Sequence, residues 1–188
     1  MPGRLPVGLL VIALSAWCAA PRFQVADTNG REHTPAEWAG AKAILLFFVA
    51  TDCPVSNSYV PEMNRIRNAY AGRGVPVYAV QADPTVTSAA SAQYAREYRY
   101  GFPMLVDSHH AMVKLAGATV TPQAAVLSPD GSVLYLGRID NRVEDFDKRR
   151  LAPTEHELRD ALDAVLAGKP VLHPRTKSIG CAIPAVKP

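Results

Sequence analysis

The sequence predicts an α/β protein: a three-layer α/β/α sandwich around a mixed central sheet. Three observations lead there. AILLFFV (43–49) and VPVYAVQ (75–81) are continuous apolar runs of strand length, as expected of strands covered on both faces. Each is followed by a segment of helical character. Finally, TVTPQAAVLSPDGSVLYLGRID (119–140) reads as a hairpin turned at Pro129-Asp130-Gly131, which adds antiparallel strands to a sheet begun in parallel.

The elements follow in order. FQVADTNGREHT predicts a small hairpin turning at Asn29-Gly30. Thr34-Pro35-Ala36-Glu37 offers an N-cap, a proline at the first helical position and a capping-box glutamate. After the first buried run, Pro54 opens a helix with Cys53 at its N-cap, and Val55, Tyr59, Met63, Ile66 and Tyr70 recur on one face. Pro61 falls inside this helix and should kink it, and Gly72 and Gly74 end it. Residues 86–99 are helical by composition, 103–106 form a short strand and 109–116 a short helix. A second T-x-x-E cap, Thr154 to Glu157, launches a helix lined by Leu158, Leu162, Val165 and Leu166. From Lys169 the chain is proline-rich and ends near G-C-A-I.

Composition excludes several classes. With 188 residues, 48% hydrophobic and 20% charged, the chain can bury a core and is not globally disordered. A net charge of +3 without a basic stripe gives no footprint for nucleic acid. At the N-terminus, Arg4 precedes an apolar run from Leu5 to Leu14 and then S-A-W-C-A-A, the layout of a secretory signal. The run is short for a bilayer span, so no stable membrane span is expected after cleavage. Bulky Trp17 argues against lipidation of Cys18. The expected organisation is therefore a signal peptide over 1–20, one domain over 21–168 and a tail over 169–188, in a periplasmic or secreted protein. Removal of Cys18 with the signal leaves Cys53 and Cys181. An even cysteine count in an oxidising compartment invites a disulfide.

Cys53 is the leading candidate for chemistry. A thiol at a helix N-cap faces unpaired backbone N–H groups and the positive end of the helix dipole, which lowers its pKa. The junction also lies at the carboxyl end of a sheet strand, where open α/β folds place their chemistry. The bland alternative is a small buried hydrophobe that caps a helix.

These motifs resemble the thioredoxin-fold redoxins of the AhpC/TSA superfamily over residues 23 to about 168. They are F-x-x-x-D-x-x-G near the start, ILLFFVATDCP, Pro61 eight residues after Cys53, Asp83 after the second strand, V-T-P at 120–122 and the P-D-G hairpin. More narrowly, D-C-P-x-S-N, R-I-D at 138–140 and the terminal G-C-x-I resemble a bacterial redoxin subgroup of poorly defined activity. The resemblance implies a thioredoxin-like fold with a redoxin insertion between 83 and 106. It also implies a cis peptide at Pro122 facing Cys53, with Thr121 presenting the backbone groups that bind substrate. Thr51 and Pro54, flanking the cysteine, complete the candidate substrate contacts. No cofactor and no metal are implied.

Two departures stand out. Ser56 occupies the position of the usual resolving cysteine, and Phe47 the position of a buried proton-accepting aspartate. Cys181 is the candidate replacement. The thirteen residues after Gly168 reach roughly 40 Å when extended, enough to cross a domain with a radius of gyration near 15 Å. Reach therefore permits a Cys53–Cys181 disulfide, favoured here over two free thiols, and the loop it closes could be worth up to about 5 kcal/mol. Arg138, Asp140 and Arg142 read as a solvated loop, and the five histidines as surface residues.

The leading functional expectation is an envelope thiol–disulfide oxidoreductase. Cys53 would be the reactive thiolate and Cys181 its resolving partner, acting on protein or small-molecule disulfides and served by an envelope electron donor. A thiol-dependent peroxidase acting on peroxides ranks lower, because Ala50 stands where peroxiredoxins place a hydroxyl. A third class is a non-enzymatic binding or copper-delivery module. Asn57 stands where a copper-binding redoxin has its second cysteine, and too few ligands remain for stable ligation.

Overall fold

The computed structural model describes residues 21–186. The expected signal segment, with Cys18, lies outside the described residues. Five strands form the central sheet in the order β5-β4-β3-β7-β8. β3 (Ile44–Val49) runs parallel to β4 (Val77–Gln81), which runs parallel to β5 (Met104–Val106). On its other side β3 pairs antiparallel with β7 (Gln123–Leu127), and β7 with β8 (Val133–Gly137), so the sheet is mixed as expected.

The period of two along β3 explains the three layers. Ile44, Leu46 and Phe48 enter one core with Trp38 and with Met112, Val113 and Ala116 of helix α3 (Ala111–Ala116). Leu45, Phe47 and Val49 enter the other with Tyr59, Met63 and Ile66 of helix α1 (Pro54–Tyr70). Leu158 and Leu162 of α4 (Glu157–Leu166) and Tyr94 of α2 (Ser88–Glu97) join them. An apolar run without alternation is what a strand walled on both sides requires. Phe47, on the α1 side, is completely buried.

The first hairpin pairs β1 (Val25–Ala26) with β2 (Glu32–His33) and shows what the F-x-x-x-D-x-x-G pattern builds. Asp27 Oδ1 accepts from the amides of Asn29 (2.8 Å) and Arg31 (3.0 Å), while Gly30 takes the positive φ of 79° that the turn demands. Asp27 Oδ2 meets His33 Nε2 at 3.1 Å, and His33 Nδ1 meets Glu37 Oε2 at 2.6 Å. His33 is thus buried between two carboxylates, not a surface residue as the sequence suggested. His110 is the second correction: it is buried, with Nε2 3.0 Å from the Ala82 carbonyl oxygen.

Neither T-x-x-E capping box forms. Thr34 precedes a short 3-10 turn (Pro35–Trp38) without a side-chain cap, and Glu37 turns instead to His33 and Arg31. α4 begins at Glu157 itself. Thr154 accepts from Asn141 Nδ2 at 2.8 Å, and Glu157 binds Arg138. In both places a nearby cation or histidine outcompeted the backbone amide for the carboxylate.

Two outcomes follow for the Asp27–His33–Glu37 group. Burial alone would raise the Asp27 and Glu37 pKa values. Hydrogen bonds from His33, with those from the Asn29 and Arg31 amides to Asp27 and from the Arg31 side chain to Glu37, outweigh it and hold both below the ordinary range. The folded state then binds fewer protons than the unfolded one, so this stabilisation is complete above about pH 5 and is lost as pH falls through the lowered values. His33→Ala leaves a buried carboxylate unpaired and is expected to destabilise by about 3 kcal/mol in urea denaturation at neutral pH.

Candidate active site

β3 ends at Val49, a tight turn follows, and Cys53 caps α1 with Pro54 at the first helical position. Cys53 has a non-helical backbone (φ −90°, ψ 104°), its carbonyl accepts from the Asn57 amide at 3.0 Å, and its side chain is completely buried. Thr51 is half-buried in the turn, and Pro54 is exposed beside the cysteine.

Three separate segments meet at the sulfur. Cys53 Sγ donates to the Thr121 carbonyl oxygen at 3.0 Å, and the Thr121–Pro122 peptide is cis. Thr121 belongs to β6 (Val120–Thr121), which pairs antiparallel with β9 (Cys181–Ala182). The register sets Thr121 opposite Cys181, so the residue that contacts Cys53 is also the cross-strand partner of the second thiol. Among the described residues Cys53 and Cys181 are the two cysteines, and both are free thiols.

The two thiols differ sharply in acidity. Burial pushes the Cys53 pKa up. Hydrogen bonds from the Cys181 thiol, from the Ser56 hydroxyl and amide, and from the Cys181 amide overcome this, and the net shift is down. Cys181 moves the other way, up to about 12, through burial, its hydrogen bond to Cys53, and the charges of Cys53 and Asp52. The Ser56 hydroxyl explains part of the asymmetry. It is fully buried and has no hydrogen-bond partner while Cys53 is a thiol donating to Thr121. Ionisation makes the sulfur an acceptor, and this waiting donor gains its bond.

Two groups around the site were missed or misread in the sequence. Asn57, one turn into α1, accepts from Tyr94 at 2.8 Å and donates to Tyr98 at 3.0 Å, and Tyr94 meets Tyr100 at 3.1 Å. This aromatic cluster couples electrostatically to Cys53 and brings α2 and the following loop to its flank. Only the density of tyrosines between 94 and 100 could have signalled it. Asp140 and Arg142 are not a solvated loop. Asp140 is buried, accepts from Tyr59 at 2.6 Å and from Arg142 at 3.0 Å, and the Arg142 guanidinium lies 4.9 Å from the Tyr59 ring centroid. Arg138 is pinned by Glu157 and Glu155.

Ser56→Ala removes one charge-assisted hydrogen bond from the thiolate. Cys53 alkylation at neutral pH should slow by about tenfold, with the whole rate–pH profile displaced to higher pH. An unmoved profile would show that the Ser56 hydroxyl does not hold the anion.

Residues 18–136 match the AhpC/TSA family. The thiol-disulfide oxidoreductase ResA of Bacillus thuringiensis subsp. konkukian is 29% identical over 115 residues, covering 61% of this chain and 65% of that protein. ResA of Geobacillus kaustophilus is 25% identical over 136 residues, covering 72% and 76%. The chain therefore spans about 65% of the length of the first of these relatives. The crystal structure of a hypothetical protein from Sinorhizobium meliloti 1021 superimposes with a TM-score of 0.75 at 29% identity, covering 88% of this chain and 91% of that one. A DsbE-type thiol:disulfide interchange protein from Chlorobium tepidum, at 21% identity and a TM-score of 0.61, shares the thioredoxin-like fold. The family match ends at Leu136, short of the Cys181 tail. With strand, cysteine junction, cis-proline and hairpin all in place, the chain belongs to the AhpC/TSA family.

Proposed function

We propose that the protein is a thiol–disulfide oxidoreductase of the cell envelope in which Cys53 is the nucleophile and Cys181 the resolving thiol. The observation that carries this reading is the pairing of two free thiols of opposite acidity across Thr121. The relatives named thiol-disulfide oxidoreductase support it.

The chemistry balances without a cofactor. Cys53 thiolate attacks one sulfur of an external disulfide, forms a mixed disulfide and releases the other sulfur as a thiolate. Cys53 is then no longer an anion. Its charge and the hydrogen bond to its thiolate, two of the influences that kept Cys181 protonated, disappear together. Cys181 gives its proton to the departing thiolate or to water and attacks Cys53. The Cys53–Cys181 disulfide forms and the second external thiol leaves. Two electrons pass from the dithiol to the external disulfide, and an envelope dithiol donor would restore the pair. Thr121 and Pro122 line the approach to the sulfur, with Thr51 and Pro54 at its rim. Ser56, which cannot resolve, supports the anion instead.

Cys53→Ser should abolish reduction of a small test disulfide such as oxidised glutathione. Cys181→Ser should complete the first step and stall as a mixed disulfide on Cys53, visible as a mass increase of one glutathionyl group. Undiminished turnover by Cys53→Ser would overturn the assignment. Peptide mapping of the protein after oxidation should find residues 53 and 181 joined.

A further inference from the structure

Cys53 is completely covered, yet part of its cover is a shallow segment. None of residues 169–186 is fully buried. The tail is held by partly buried contacts of Val171, Ile179, Cys181 and Ile183 with the two cores and by hydrogen bonds at two places. At β8, the Leu136 amide donates to Pro174 O at 2.9 Å and the Thr176 amide to Leu136 O at 3.3 Å, while Thr176 Oγ1 accepts from the Arg138 amide at 3.0 Å. At β6, Val120 pairs with Ala182 and Thr121 with Cys181, and the Ile183 amide donates to Thr119 O at 3.0 Å. A segment with no fully buried residue and only two-residue strand pairing belongs to the low-stability end of a fold.

The fit at the second place is close. A Cβ on Gly180 would lie 2.0 Å from the Thr121 carbonyl oxygen, the same oxygen that accepts from Cys53. Glycine is therefore required immediately before Cys181 if the strand is to lie on β6. Beyond the cysteine, Ile183 packs against the core on the α3 side of the sheet. The tail thus presents an extended Gly-Cys-Ala-Ile segment to an open backbone edge, with its cysteine set against the buried one.

We propose that the β9 strand is a tethered occupant of a polypeptide-binding edge, and that an outside chain reaches Cys53 by exchanging with it on β6. The incoming partner is an extended, cysteine-bearing segment with glycine before its cysteine and an apolar residue two places after it. Its backbone takes over the pairing with Val120 and Thr121 by adding a strand to an exposed edge. This rests on the reading of Cys53 as a reactive thiol. It adds that the resting protein is closed, and that closure depends on the strand, not on the Cys181 sulfur.

The test uses full-length protein carrying Cys181→Ser, with modification followed at Cys53 by peptide mass mapping. In that background N-ethylmaleimide should modify Cys53 slowly. Adding Gly180→Ala should raise the rate at least about tenfold, because the strand can no longer lie on the edge. Hydrogen exchange guards against general unfolding: the Ile183 amide should lose protection while the β3 and β4 amides keep theirs. Equal alkylation rates with and without Gly180→Ala, or loss of protection throughout the sheet, would overturn the proposed cover.

The second arm uses a synthetic peptide of the tail sequence Lys177–Val186, its cysteine activated as a mixed disulfide with thionitrobenzoate. Attack by Cys53 of the opened double variant joins peptide to protein and releases coloured thionitrobenzoate. The peptide should react at least about tenfold faster than the same peptide with alanine before its cysteine. Equal rates for the two peptides would overturn the edge as a sequence-reading site. Failure of Cys53 to react with any reagent once exposed would instead overturn its role as the reactive thiol.

Discussion

The site depends on one backbone carbonyl, that of Thr121. It accepts from the buried Cys53 thiol, precedes the cis peptide to Pro122, and sits within contact of Gly180 on the tail. Because Thr121 is also the register partner of Cys181, this single position brings together residues 53, 121 and 181. Pro122 and Ile179 share the lining of a small cavity of about 10 Å³, so the tail reaches the neighbourhood of the proline as well as the strand. Remove the β6–β9 pairing and the second thiol has no reason to be near the first.

The electrostatics follow from that meeting. A dithiol motif within one helix places its partner thiol by helical geometry alone. Here Ser56 occupies that helical position, and the partner arrives from the far end of the chain. The serine is not idle: after the Cys181 thiol, its hydroxyl and amide lower the Cys53 pKa, and the Cys181 amide adds to them. The pair behaves as one acid, in which ionisation of the first thiol suppresses that of the second until the first is consumed. Such coupling would suit the two-step exchange proposed above, in which Cys181 is quiet before attack and more acidic after it.

Away from the sulfur, the fold uses its buried polar groups as ties between layers. The Asp27–His33–Glu37 group fixes the first hairpin to the 3-10 turn beneath the sheet, and Tyr78 adds an edge-on contact with His33. Tyr59, Asp140 and Arg142 join the middle of α1 to the loop after β8. In each, a buried carboxylate meets a partner in the interior, where a lone charge could not remain. The second group ties the middle of α1, the helix whose N-terminus holds Cys53, to the loop after β8.

The sequence by itself determined the strands of the central sheet, the principal helices and the layers, since unbroken apolar runs, a proline-led helix and a P-D-G hairpin are local signals of period, cap and turn. It also singled out Cys53, because a strand–cysteine–proline junction is contiguous, while Thr121 and Pro122 came from the resemblance to thioredoxin-fold redoxins carried by the V-T-P segment. Local reading failed where one group had two suitors. Glu37 and Glu157 fit capping boxes but chose His33 and Arg138, and His33, His110 and Asp140 look like solvated residues until their partners, one of them twenty-eight positions distant, are known. Only the tertiary structure decided that the tail lies on β6 and that the Ser56 hydroxyl is buried without a partner beside Cys53. Both depend on distances between residues far apart in the chain, which no periodicity along it encodes.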